Sequence, residues 1–336
     1  MVFVLNKQKK PIMPCREDNA NRLLSKGKAV VHKVKPFVIR MKADKTYEIA
    51  PLTLKIAPGV ETTGFTVLRE GEDRHDIIMV GEIQHRRGIA DTLIKKQAHK
   101  RKRDQSKRSR KNSPNKRYKE RKEVIKAIYD ANLNEIVQSV KRLKKWLPID
   151  EILLRNWGLE DYIGELAKDR AENGTLPERF PIDIQKNDLT KLNADFTDKY
   201  KSLFNSTIKI VDEPMEEINN RRQCHHFPDE TSFYAAVLAE DKLSQFAVRT
   251  TRIDMWISRE KGKAAKTKSL KTFGGIGLYD FVKGKQGDTE VSGKCVWIER
   301  DGAVTVSRKG KTYKFPGNDI TLLQRDSGWD YTSRPF

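Results

Sequence analysis

One short segment, His225-His226-Phe227-Pro228-Asp229, carries the strongest chemical pairing in the chain. A carboxylate at a helix start, facing strand ends, can hold a divalent cation, and a neighbouring histidine such as His226 can activate water or stabilise a leaving group. A plainer role also fits. Asp229 or Thr231 would then cap the helix that the spacing of Phe233, Tyr234, Val237, Leu238, Leu243 and Phe246 predicts over Thr231–Ala247. The other reactive side chains are sparse. Cys15, Cys224 and Cys295 are scattered, giving neither a disulfide framework nor a Cys-x-x-Cys metal pair. His32 stands alone on a strand and reads as structural.

Charge is the second concentration of chemistry. The 336 residues carry 67 Lys and Arg against 46 Asp and Glu, a net +21. Residues 95–122 hold fifteen of those cations and only Asp104 and Glu120 as acids, a local +13. Lys, Arg, Gln and Ala favour a helix there, interrupted at Asn112-Ser113-Pro114-Asn115. With no apolar stripe, such a helix repels itself unless an anion surrounds it, and a phosphate backbone is the fitting partner. A disordered basic tail or localisation run is the alternative, and core-forming sequence on both sides argues against it. No stretch reaches the ~20 apolar residues of a membrane span. Met1–Leu5 is too short for a signal peptide. These features lead us to expect a soluble cytoplasmic protein, nucleoid-associated, with no membrane contact.

The elements that must position these residues fall into five stretches. Residues 1–50 read as a ββαββ module, with strands at Phe3–Leu5, Pro11–Pro14, Ala29–His32 and Phe37–Arg40 and a short helix stopped by Gly27. Residues 51–94 open with a meander of Leu52–Ile56, Gly64–Arg69 and Ile77–Ile83. The basic helix takes 95–122. Residues 123–248 begin with an amphipathic helix over Val124–Leu147, ended by Pro148 and followed by the buried strand Glu151–Leu154. Residues 249–336 are rich in short strands with hairpin signals at Asp301-Gly302 and Lys309-Gly310, so a small β-barrel or open sheet is expected. This succession suggests an α/β, RNase-H-like core interrupted by the basic helix. Such cores hold two Mg²⁺ ions on carboxylates at strand ends, and the first of those places is taken here by Ala57, which binds no metal.

The motifs, in their order, resemble the IscB and IsrB proteins. Pro11-Ile12-Met13-Pro14-Cys15 is similar to the motif naming their N-terminal PLMP domain, and Leu54-Lys55-Ile56-Ala57-Pro58-Gly59 to their first RuvC motif with Ala for Asp. Gly81-Glu82-Ile83-x-His85-Arg86 resembles the strand entering their bridge helix, and His225–Asp229 their third RuvC motif. Gly287-Asp288, Gly293-Lys294, Leu322–Arg325 and Gly328-Trp329-x-Tyr331 echo their C-terminal target-motif domain. With no HNH pattern visible, the closer likeness is to IsrB, which is expected to nick the non-target strand with RuvC alone.

The resemblance implies a monomeric protein in a ribonucleoprotein, with an omega-type guide RNA and target double-stranded DNA as partners. It implies phosphate contacts by Lys100, Arg101, Arg103, Lys107, Arg108, Arg110, Lys111 and Arg117. Arg249, Arg252, Lys268 and Lys271 are expected at the target-adjacent duplex, and Trp256, Phe273 and Trp297 either stack on bases or fill the barrel. The second RuvC carboxylate is expected at Arg155, with Glu151 at that strand's start and Glu160 beyond it, so only Asp229 is kept. Catalysis with Mg²⁺ should then be lost. The alternatives are an active nickase using Asp229 with Glu151 or Glu160, and a guide-independent RNA-binding protein.

Overall fold

Four short strands at the N-terminus, Val2–Leu5 (β1), Pro11–Cys15 (β2), Ala29–Lys33 (β3) and Val38–Met41 (β4), pair in the order β2-β1-β4-β3. Helix α1, Glu17–Ser25, packs on them and gives way to Gly27 at φ +64°, a conformation open to glycine at little cost. The computed structural model describes the chain except residues 44–45, 73, 87–88, 107–113, 158–162, 166–207, 240–242, 244–250, 258–271, 288 and 336.

The meander forms as its alternation predicts. Leu52–Ala57 (β5), Thr62–Arg69 (β6) and Asp76–Gln84 (β7) are antiparallel neighbours, and Ile149–Arg155 (β8) and Ile208–Val211 (β9) add in parallel beyond β5. On the other side β7 pairs in parallel with Thr251–Ile257 (β10), and β10 pairs antiparallel with Trp329–Pro335 (β18). The result is a seven-stranded mixed sheet, β18-β10-β7-β6-β5-β8-β9. Its strand period of two sorts the side chains onto two faces. Leu52, Leu54 and Ile56 share one core with Val67, Met79, Ile152 and Leu154, whereas Lys55 and Ala57 point to the other face.

The basic stretch is not one helix. Ile89–Ser106 (α2) and Pro114–Leu143 (α3) are separate and pack on one another. Pro114 opens α3, where its missing amide proton and fixed φ suit a first helical turn. The rest of α3 is continuous with the amphipathic segment expected from residue 124, so the predicted boundary at 122/123 falls inside a single helix. Its apolar positions Val124, Ile125, Ile128, Leu133, Ile136, Val137, Val140 and Leu143 are all buried against the apolar face of the sheet.

Met215–Cys224 (α4) and Thr231–Val237 (α5) cover the opposite face. Helix α5 sits so close to β6 that a Cβ on Gly64 would lie 1.9 Å from the Thr231 carbonyl oxygen. The helix expected to run to Ala247 stops at Val237 because three side chains hold the backbone that follows. Arg221 donates to Val237 O at 2.6 Å, the buried Lys55 to Leu238 O at 2.7 Å, and the Ala239 amide donates to Glu213 Oε2 at 3.0 Å. Cations at the carbonyl end of a helix also suit its dipole.

The remaining strands are Thr272–Phe273 (β11), Ile276–Gly277 (β12), Phe281–Gln286 (β13), Thr289–Ile298 (β14), Val304–Arg308 (β15), Lys311–Phe315 (β16) and Ile320–Gln324 (β17). The last five form an antiparallel sheet in the order β16-β15-β14-β13-β17. Its two edge strands, β16 and β17, are joined only by residues 316–319. The five Cα steps from Phe315 to Ile320 reach at most ~18 Å even when extended, and the 3-10 turn at Gly317–Asp319 shortens them. They fall short of the ~19 Å between the edges of a flat five-stranded sheet. The sheet therefore curls towards closure, and Phe315 of β16 packs on Gly284 of β13. Phe273 packs on Gly302 and Gly317 and joins this core. The C-terminal stretch expected from residue 249 thus divides: β10 and β18 complete the central sheet, and only the strands between them form the curled one.

Gly64→Ala forces backbone against backbone at the α5 contact. Chemical denaturation should show a loss of about 3 kcal/mol, at the upper end for overpacking, with a matching drop in melting temperature.

Candidate functional site

One row of side chains crosses the central sheet under α5. Ile56 pairs with Leu154 in parallel, so the next residues, Ala57 and Arg155, end neighbouring strands side by side. Ala57 pairs with Gly64, and Gly64 with Glu82. The parallel register of β7 with β10 then brings Asp254 beside Glu82, whose amide donates to Asp254 Oδ1 at 3.3 Å. The row reads Arg155, Ala57, Gly64, Glu82, Asp254. Its carboxylates lie on β7 and β10, and the strand ends of β5 and β8 carry a methyl group and a guanidinium. Both Ala57 and Arg155 are buried.

Arg252 reaches into this row from β10. Its guanidinium pairs with Glu82 Oε2 at 3.1 Å, Asp254 Oδ1 at 3.0 Å and the carboxylate of Glu230. Thr231 Oγ1 donates to Glu82 Oε1 at 2.9 Å, so the start of α5 joins the cluster. Burial works against the arginine's charge, and the three carboxylates outweigh it and push its pKa up. This corrects the expectation that Arg252 meets a DNA duplex: its side chain is 8% exposed and fully engaged. The pair Arg252-x-Asp254 on one strand face was a visible signal, but Glu82 and Glu230 enter only once β10 is known to lie beside β7. Arg249, Lys268 and Lys271 lie outside the described residues.

Asp229 stands just before α5, with 73% of its side chain exposed. The Tyr234 hydroxyl donates to it, and Arg222 Nη2 lies 3.8 Å away. Burial first, and then Asp229, raise the pKa of that tyrosine. Neither Asp229 nor Thr231 caps the helix; the N-cap position is Glu230, with no side-chain cap bond, and Thr231 is turned to Glu82. His226 is exposed at φ +54° and ends α4, with its amide bonded to Gln223 O at 2.9 Å; His225 stacks on Phe227.

Glu151 is a second correction. It pairs with Lys209 at 2.5 Å and lies opposite Thr53, at the other end of β5 and β8 from Ala57 and Arg155. Four strand steps separate it from Arg155, roughly 13 Å. Glu160 lies outside the described residues. Glu165, which the sequence did not single out, brings Oε2 to 3.8 Å from where a Cβ on Gly59 would stand. Among the described residues, no three His, Cys, Asp or Glu side chains converge as a metal site. An alanine and an arginine at the two adjoining strand ends do not fit a pair of Mg²⁺ ions, which need hard oxygen ligands.

A buried polar chain ties the Ala57-Pro58-Gly59 turn to α3. The Gly59 amide donates to Thr63 Oγ1 at 3.4 Å, and Thr63 Oγ1 lies 2.8 Å from His85 Nε2. His85 Nδ1 is 3.1 Å from Glu135 Oε2, and Arg86 Nε donates to Glu135 Oε1 at 2.5 Å. Burial opposes the charge on Glu135, but the bonds and charges of His85 and Arg86 prevail and hold its pKa below the usual 4.5. Thr63 is fully buried, so this Thr-His-Glu alignment faces no substrate and acts as a brace.

Lys100 and Arg103 are exposed on α2. With Lys96, His99 and Glu123 they line a cleft of about 430 Å³ between α2 and α3. Lys107, Arg108, Arg110 and Lys111 lie outside the described residues, and Arg101 and Arg117 are described by backbone position only, in α2 and α3.

Residues 2–160 match the family described as RRXRR protein, a domain found in IscB- and IsrB-type proteins. The matched span runs from β1 past Arg155 and so takes in the first sheet, β5 to β8 and both basic helices. No curated protein matches the chain. Among the described residues, no helix is long and apolar enough to cross a membrane.

Because the folded-state pKa of Glu135 is depressed, its contribution is complete above pH 4.5 and disappears as pH falls through the lower, folded value. Glu135→Gln should cost about 3 kcal/mol near neutrality by stranding His85 and Arg86. The gap from wild type in denaturant melts should close on acidification; a gap that persists at low pH would contradict the brace.

Proposed function

We propose that the chain is an RNA-guided DNA-binding protein of the IsrB kind, nuclease-inactive as its sequence stands. An omega-type guide RNA supplies specificity by base pairing, and the protein reads a short motif beside the target. The observation that carries this reading is the RRXRR match over residues 2–160, because that one span contains both the basic helices and the altered strand ends. The five strands β7-β6-β5-β8-β9, with β6 alone antiparallel, support an RNase-H-like core. The net +13 of residues 95–122 supports a polyanion along α2 and the start of α3.

Inactivity rests on chemistry at the strand ends. A carboxylate at position 57 would be one of the ligands that draw Mg²⁺ to this face, and Ala57 has no donor atom. Arg155 beside it adds a positive charge where two divalent cations would have to approach each other, which raises the cost further. The bridge role then falls to Lys100, Arg103 and their neighbours as phosphate contacts.

Sequencing of the RNA that co-purifies with the protein should yield one discrete species with a variable end; heterogeneous RNA would overturn the guide mechanism. With that RNA and Mg²⁺, a matched supercoiled plasmid should stay uncut by wild type and by Ala57→Asp, since Arg155 remains in place. Nicking by wild type would overturn inactivity. Lys100→Ala with Arg103→Ala should weaken RNA binding across sequences and lower the salt slope by about 1–2.

A further inference from the structure

Lys33, Arg142 and Lys145 come together where β3 meets the C-terminal end of α3. The Lys33 ammonium lies 5.7 Å above the Trp146 ring, and that ring packs edge-on against Tyr331 at 5.1 Å. The Arg142 guanidinium lies 5.2 Å over Trp329 and donates from Nη2 to Ser327 O at 3.1 Å, leaving its buried Nε with no hydrogen-bond partner. The position of Lys33 is fixed from behind. Gln324 Oε1 accepts the amides of Val34 and Lys35 at 3.0 Å, and its Nε2 donates to Lys35 O at 2.8 Å.

The three cations differ from Arg221, Arg222 and Arg252 in having no acid within ion-pair distance among the described residues. Arg221, Arg222 and Arg252 all pair with carboxylates, whereas among the described residues none pairs with Lys33, Arg142 or Lys145. Burial, and then the charges of Arg142 and Lys145, lower the pKa of Lys33. Like charges have thus been gathered on a rigid aromatic floor, and an anion with several acceptor oxygens is what relieves them. A tetrahedral phosphate offers such oxygens to one guanidinium and two ammonium groups at once.

We propose that Lys33, Arg142 and Lys145 form a phosphate-binding site that seats a backbone phosphate of the guide RNA. The site rests on the RNA-guided reading for its occupant and deepens it, because it lies on β3 and the far end of α3, away from the α2–α3 cleft. It gives the N-terminal module a direct hold on nucleic acid, joined through Gln324 to the curled C-terminal sheet.

The test uses the full chain, stripped of RNA by high salt, with fluorescein-labelled bulk tRNA titrated across a KCl series. Lys33→Gln with Lys145→Gln should weaken binding roughly tenfold and lower the slope of log affinity against log salt by about 1, the loss of one phosphate contact. Lys33→Arg with Lys145→Arg should keep both, and Lys7→Gln with Lys10→Gln should leave them at wild-type values. Lys145→Gln alone, at an exposed position, should show part of the loss, and thermal melts confirm that each variant folds. An unchanged slope in the double Gln variant overturns the site, as does an Arg pair that behaves like the Gln pair. If inorganic phosphate at matched ionic strength raises the wild-type melting temperature while tRNA binding ignores the substitutions, the site holds small anions only and the nucleic-acid assignment fails. A discrete co-purifying RNA with an unchanged slope sinks this site alone; heterogeneous RNA with a reduced slope sinks the guide reading alone.

Discussion

Three carboxylates from three places in the chain, Glu82 on β7, Asp254 on β10 and Glu230 at the start of α5, converge on the guanidinium of Arg252. Their mutual repulsion would open this face of the sheet, and one planar cation with several donors satisfies all three at once. The position of α5 follows from that clamp together with the Gly64 contact, and α5 in turn covers Lys55 and the row that includes Ala57. Hydrogen-bonded charge in a half-dry setting is costly to break and only modestly favourable to make. Its main effect is therefore to fix geometry: one arrangement of β7, β10 and the helix brings all three carboxylates to the same guanidinium.

That arrangement divides the chemistry of the sheet between its strands. The acidic side chains lie on β7, β10 and the start of α5, where one internal cation binds them. The ends of β5 and β8 are neutral and basic. Meanwhile the opposite face is braced by Glu135 and His85, so the turn after Ala57 is anchored to the helix that carries the basic residues.

Much of the local structure was legible because its causes are local. The apolar spacing of α3 marks its buried stripe residue by residue, the proline at 114 marks its start, and Lys309-Gly310, both at positive φ, mark a hairpin. What escaped reading depends on partners far off in sequence. Thr251–Ile257 has the alternation of any strand, and nothing in it names β7 as its neighbour rather than the sheet that follows. The end of α5 at Val237 is decided by Lys55 and Arg221, and the apolar pattern beyond Val237 gives no hint of them. Arg252 looked like a surface cation for the same reason: its three acids are assembled by topology. Glu151 looked eligible as a ligand until the register of β8 set it at the wrong end.

The pairing of β10 with β18 has an architectural consequence. Ile257 and Trp329 face each other at the end of an antiparallel pair, so everything between them hangs from the tip of a hairpin. The curled five-stranded sheet is therefore a guest in a host that closes without it. Insertions of this kind can be gained, exchanged or trimmed while the parent sheet keeps every hydrogen-bonded neighbour. A chain that ended at residue 257 would strip β10 of its outer partner and expose an edge, whereas a tight turn joining 257 to 329 would leave the central sheet whole.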